Sequence, residues 1–185
     1  MCKFLENLRK IKIGQRNLKT ALAVFLCIVI TDLLRIDSRA LDITCFSAIL
    51  CMQDSVENSI IVGKDRILGT FIACFLSIIF LNLVKEFPLL ISFKALLISI
   101  FIIFIIFFHN LIEKQDAITI ACTVFVTITL SGLANTTYIP WYSYPTIDMI
   151  DYKSIIHRIV GTIFGIIIAI IVNKYVNFRK LIGKE

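Results

Sequence analysis

Charge is scarce in this chain. Lys, Arg, Asp and Glu make up 17% of its 185 residues and hydrophobic residues 58%, against about 25% and roughly 45–50% in soluble domains. With a mean hydropathy of +0.91, that shortage excludes an ordinary soluble domain and leaves a membrane protein. Metal-site and catalytic signatures are missing as well. The two histidines, His109 and His157, have no ligand-spaced partner, and the six cysteines contain no C-x-x-C pair, so no metal is expected. No Ser, Cys or Thr stands beside a base in a catalytic motif, and no G-x-x-x-x-G-K-[ST] loop occurs. Those gaps argue against an enzyme, a cofactor or a self-powered ATP pump.

What is present is long apolar runs. About 20 residues of helix cross a hydrocarbon core of roughly 30 Å, and six candidate spans can be drawn: 17–34, 40–52, 66–84, 88–112, 117–134 and 158–176. The second is short, and the fifth is polar for its length. A basic stretch precedes the first, yet "TDLLRIDSRA" offers no small-x-small cleavage site, so a retained span is expected rather than a signal peptide. Basic residues then set the orientation. With the N-terminus in the cytoplasm, thirteen of the 19 Lys and Arg fall inside and six outside. The expectation is a multi-pass protein of the cytoplasmic membrane with both termini inside: a basic segment at 1–16, a membrane domain at 17–178 and a basic tail at 179–185. The pI near 9.1 is met by the anionic inner leaflet and calls for no nucleic acid.

One motif is written twice. "RILGTFIACFLSIIF" from Arg66 and "RIVGTIFGIIIAIIV" from Arg158 share Arg, Gly and Thr in register, and Gly69, Ala73 and Ser77 align with Gly161, Gly165 and Ala169. Small residues four apart share one helix face, where a neighbouring backbone can come close. Lys19 before "TALAV" resembles Lys94 before "ALLIS", and Asp42 with "ITCFSAIL" resembles Asp116 with "AITIACTVF". The order is the same in both stretches. The sequence therefore predicts an all-α membrane protein of six transmembrane helices, built as two inverted three-helix repeats at about 14–86 and 90–178.

Repeat logic also nominates a site. Short or interrupted spans at matching positions of two halves point to a transporter's binding region, and the second span is followed by polar "QDSVENS", read as a break or re-entrant turn that does not face lipid. Arg66 and Arg158, placed by this topology at opposite ends of the membrane, are candidates to bind a carboxylate or else to anchor helix ends at headgroups. Lys19 is a further substrate-binding candidate, with headgroup anchoring as the plainer reading, and Gln53, Ser55 and Asn58 could line a pore or form a solvated loop. Asp42 and Asp116 are proton-coupling candidates or helix N-terminal acids. "YIPWYSYPTIDMIDY" reads as an interfacial aromatic belt or a vestibule that stacks aromatic substrates.

"KTALAV", "QDSVENS" and "GKDRILGTFIACFLSIIF" together resemble the membrane domain of the aromatic acid exporter and fusaric acid resistance proteins, over roughly residues 13–85 and then by segment pattern and the second "RIVGT". The resemblance implies efflux of aromatic or other organic acids across the cytoplasmic membrane. Members of that family commonly carry a long cytoplasmic domain after the last span. Here the chain stops at Glu185, so a short form lacking that domain is expected. The partners implied are the lipid bilayer and a small organic anion, and six short spans are compatible with a homo-oligomer packed through the "GTIFG" face. The competing expectation is a non-transporting membrane subunit or structural protein that oligomerises through its small-residue faces.

Overall fold

A computed structural model describes residues 15–35, 38–134 and 152–176. They form six α-helices, with no strand among the described residues: α1 (Gln15–Leu33), α2 (Ser38–Cys51), α3 (Val56–Glu86), α4 (Lys94–Leu111), α5 (Ile118–Ala134) and α6 (Tyr152–Tyr175). Short 3-10 turns at Pro88–Phe93 and Gln115–Ala117 lead into α4 and α5. The basic ends at 1–14 and 177–185, Asn135, and the aromatic stretch up to Asp151 lie outside the described residues.

Four helices are long and apolar enough to cross a membrane: α3, α4 with its preceding turn, α5 with its preceding turn, and α6. α1 has 19 residues but carries Arg16, Lys19 and Asp32. α2 has 14, about 21 Å of helix and short of a hydrocarbon core. The third helix departs from the sequence expectation most clearly. It starts ten residues before Arg66, because Ser55 caps it by accepting the Asn58 N–H at 3.1 Å. Glu57 in the first turn and Lys85 in the last complement the helix dipole. The break after α2 is thus only the turn at Met52–Ser55, and helix continues from Val56 to Glu86 without a re-entrant segment.

The core comes in two clusters, each mixing the two sequence halves. Phe80 of α3 meets Phe101 of α4 edge-on at 5.3 Å and Phe125 of α5 at 5.7 Å, while Phe101 and Phe125 stack. Ala23 and Cys27 of α1, Ala48 and Met52 of α2, and Ala169 and Val172 of α6 form the other cluster. The most extensive helix contacts are α2 with α6, then α3 with α5, then α3 with α6.

Glycines explain the first two pairings. A methyl group on Gly69 would lie 2.9 Å from the Ala117 carbonyl oxygen and 3.3 Å from the Ala121 nitrogen. One on Gly161 would lie 2.9 Å from the Ala40 carbonyl oxygen and 3.2 Å from Thr44 Oγ1. Ala40 and Ala117 thus make the same kind of contact to a motif glycine, with Asp42 two residues after the one and Asp116 one residue before the other. The ends of α1 and α4 also match. Leu34 and Arg35 donate to Ile30 and Asp32, as Ile112 and Glu113 donate to Phe108 and Asn110. Arg35 (φ 50) and Glu113 (φ 59) both take the left-handed conformation. Aligning those ends brings Arg16, not Lys19, opposite Lys94.

Candidate functional site: two arginines at a helix crossing

α3 and α6 run antiparallel, and three interactions fix their register. Asn173 Nδ2 donates to Ser59 Oγ at 2.8 Å, Gly63 faces the Ile166 side chain, and Cys74 lies close enough to Arg158 to interact electrostatically. Residue numbers add to 229–232 at all three. At that register Gly69–Thr70 and Gly161–Thr162 stand at the same level near the middle of the pair, with Gly69 turned to α5 and Gly161 to α2. Arg66 falls near the level of residue 165, about seven residues or roughly 10 Å along the axis from Arg158. The arginines therefore stand near the centre of the crossing and not, as the sequence topology placed them, at opposite ends of the membrane.

Arg66 is 9% exposed, and its Nε donates to Ser47 Oγ of α2 at 3.3 Å. Arg158 is half-buried. Neither has a carboxylate partner among the described residues. The ion pair that is present lies next door. Asp65, buried on α3, is 3.2 Å from Lys114 Nζ on the connection between α4 and α5. A guanidinium left without a counter-charge inside a helix bundle is costly to bury, and its unused planar donors suit a carboxylate that can come and go.

The other sequence candidates gather elsewhere. Asn173 of α6 donates to the Gln53 and Ser55 carbonyls, each at 3.0 Å, and accepts from Lys19 Nζ at 3.0 Å. Lys19 also donates to the Asn173 carbonyl, and Arg16 Nε to the Met52 carbonyl at 3.0 Å. Lys19, the Gln53 and Ser55 carbonyls and Ser59 are thus joined through Asn173 in a polar knot that ties the start of α1 and the α2–α3 turn to the end of α6, while Asn58 is exposed and only donates its N–H to the Ser55 cap. Asp42 and Asp116 are both exposed, although Ala40, two residues before Asp42, and Ala117, next to Asp116, lie against Gly161 and Gly69. Of the small residues, Gly69, Gly161 and Gly165 are helix contacts, and Ala73 and Ala169 are fully buried. Ser77 is buried too, with its Oγ unpartnered. His109 donates from Nδ1 to the Ile105 carbonyl at 2.9 Å. No group of three His, Cys, Asp or Glu able to hold a metal occurs among the described residues.

Sequence reasoning missed Asp65 and Asn173. Each interrupts or borders an apolar run, and polar groups at such places mark function or packing; that signal was available for both.

A comparison with known families matches residues 26–172 to the fusaric acid resistance protein-like family. The chain belongs to that family. No curated protein and no solved structure matches it. Membership in the fusaric acid resistance protein-like family makes this a membrane, transport-related protein. The match covers the helices that carry both arginines, all of the small-residue faces and Asp65.

Proposed function

We propose that the protein is a secondary exporter of aromatic or other organic acids, working as six spans in two inverted halves with both termini in the cytoplasm of a cell bounded by the membrane it occupies. The observation that carries the reading is the pair Arg66 and Arg158 at the α3–α6 crossing, neither matched by a carboxylate among the described residues. Matching glycine contacts on α5 and α2 and matching ends of α1 and α4 support the two-half arrangement. α1 and α2 complete the six spans by packing on α6, so their charges and short length are met by protein as well as lipid. Rocking of the halves about the crossing would carry an anion past both arginines in turn.

Uptake of labelled benzoate into sealed vesicles of known protein orientation tests this. Arg66→Gln and Arg158→Gln should each cut flux per folded protein by about tenfold or more, the effect of losing one charge-assisted hydrogen-bonding partner worth about 1.5–3 kcal/mol. Lysine at either position keeps charge without the planar fork and should retain partial flux. Normal flux from both glutamine variants would return the pair to helix packing, whereas absence of flux in the wild-type protein would favour a non-transporting membrane subunit.

A further inference from the structure

Asp65 and Arg66 are neighbours in the chain, with Cα atoms about 3.8 Å apart, and both are buried. Adjacent residues of a helix do not face each other, and here they diverge: Arg66 turns to Ser47 of α2, Asp65 to Lys114. Left alone, the Asp65 carboxylate would set a buried negative charge one residue along α3, on a different face, from the arginine proposed to receive an organic anion. Interaction between charges grows as the surroundings lose water, so in this interior the carboxylate would repel such an anion strongly. Lys114 supplies the opposing charge. We infer that Lys114 sets the anion affinity of Arg66 by neutralising Asp65, an inference that rests on the transport reading above.

Position makes that neutralisation adjustable. Asp65 is fixed within a long helix, but the Lys114 side chain is 49% exposed and sits on a connection beyond the end of α4. Glu113 and Asp116, the other charges of that connection, are exposed, as is Lys64 on α3. Among the described residues Lys114 alone is paired with Asp65. A shift of the connection away from α3 would unmask the carboxylate and weaken the hold of Arg66 on a bound anion. Lys114 thus acts on affinity through Asp65 without touching the anion.

The test is a charge cycle on the full chain in vesicles, reading half-saturating benzoate concentration separately from maximal flux. Lys114→Gln should raise the half-saturating concentration at least fivefold with little change in maximal flux. Asp65→Asn should lower it or leave it at the wild-type value, and the double variant should return to within twofold of wild type. Lys114→Arg, which keeps the charge, should behave as wild type. Because Lys114 is half-exposed, its variants remain informative even if Asp65→Asn does not fold. Equal half-saturation in Lys114→Gln and Lys114→Arg, or a double variant as weak in half-saturation as Lys114→Gln alone, would overturn the inference while leaving the transport reading intact. A wild-type protein that moves no benzoate, while the arginine variants match it, sinks the transport reading and this inference together.

Discussion

α3 and α4 are both apolar enough to cross a bilayer, yet the molecule treats them in opposite ways. α4 and its leading turn have the higher mean hydropathy, 2.9 against 2.5, but only 6% of that window is buried in the protein, against 50% for α3. Ile103, Phe104, Phe107 and Leu111 of α4 are exposed, whereas Gly69, Ala73 and Ser77 of α3 are buried. In water this distribution would be inverted. In lipid it follows directly, since hydrocarbon contents a large apolar side chain as well as protein does, and helices associate through small residues and polar ties. High hydropathy marks what faces lipid; small and polar residues at spacing four mark what faces protein.

The sharpest way to break that contrast is to enlarge a glycine against backbone. A side chain on Gly165 would run into the Thr44 carbonyl oxygen and lie 2.6 Å from Ser47 Cβ and 3.0 Å from the Ala48 nitrogen, none of which can rotate away. Gly165→Leu should abolish monodisperse folded protein in detergent, a cost above about 3 kcal/mol, with Gly161→Leu and Gly69→Leu nearly as severe. Gly63→Ala should be milder, because the obstacle there is a side-chain methyl, Ile166 Cγ2, and not backbone. A flat series, with all four alike in yield and melting temperature, would mean that close backbone approach does not hold these helices.

Next in size comes the polar knot. Asn173→Leu leaves the Gln53 and Ser55 carbonyls, Ser59 Oγ and Lys19 without their shared partner. A buried polar group deprived of its hydrogen bond costs about 1–3 kcal/mol, so the melting temperature should fall clearly. Lys19→Gln, at a half-buried position, should lower it less. An unchanged melting temperature for Asn173→Leu would remove the knot from the account of what binds α1 and α6 together.

The same contrast explains what could be read from the residues. The "RILGT" and "RIVGT" copies and their trailing small residues were legible because Gly at spacing four has a direct physical meaning in a membrane. The start of α3 was not. Glu57, Lys64, Asp65 and Arg66 lower the hydropathy of its first eleven residues enough to end an apolar window at Arg66, although Ser55 was an N-cap signal in plain view. Missing those turns of helix pushed Arg66 to a membrane boundary, when it belongs beside the crossing. In α2 and α5 the two aspartates sit differently against the motif glycines: Ala40, two residues before Asp42, lies against Gly161, and Ala117, one residue after Asp116, lies against Gly69. The Asp65–Lys114 pair joins residues 49 positions apart, and nothing in a single sequence announces such a partnership.

The smallest effect should come from α4, and its smallness is the point. Phe104, Phe107 and Ile103 are 51%, 67% and 66% exposed. Replacing Phe107 or Ile103 by Leu exchanges one lipid-compatible side chain for another, with no protein atom displaced and no polar group uncovered. Each variant should stay within about 0.5 kcal/mol of wild type and keep full folded yield. Phe101 is the internal control on the same helix. It stacks on Phe125 at 5.6 Å and meets Phe80 edge-on, so Phe101→Leu loses a packed ring pair worth about 0.5–1.5 kcal/mol beyond its area and leaves a void besides. Thermal unfolding of the three variants in one detergent decides the matter. If Phe107→Leu destabilises as much as Phe101→Leu, the outer face of α4 is engaged by protein in the folded state, and the assignment of that face to lipid is wrong.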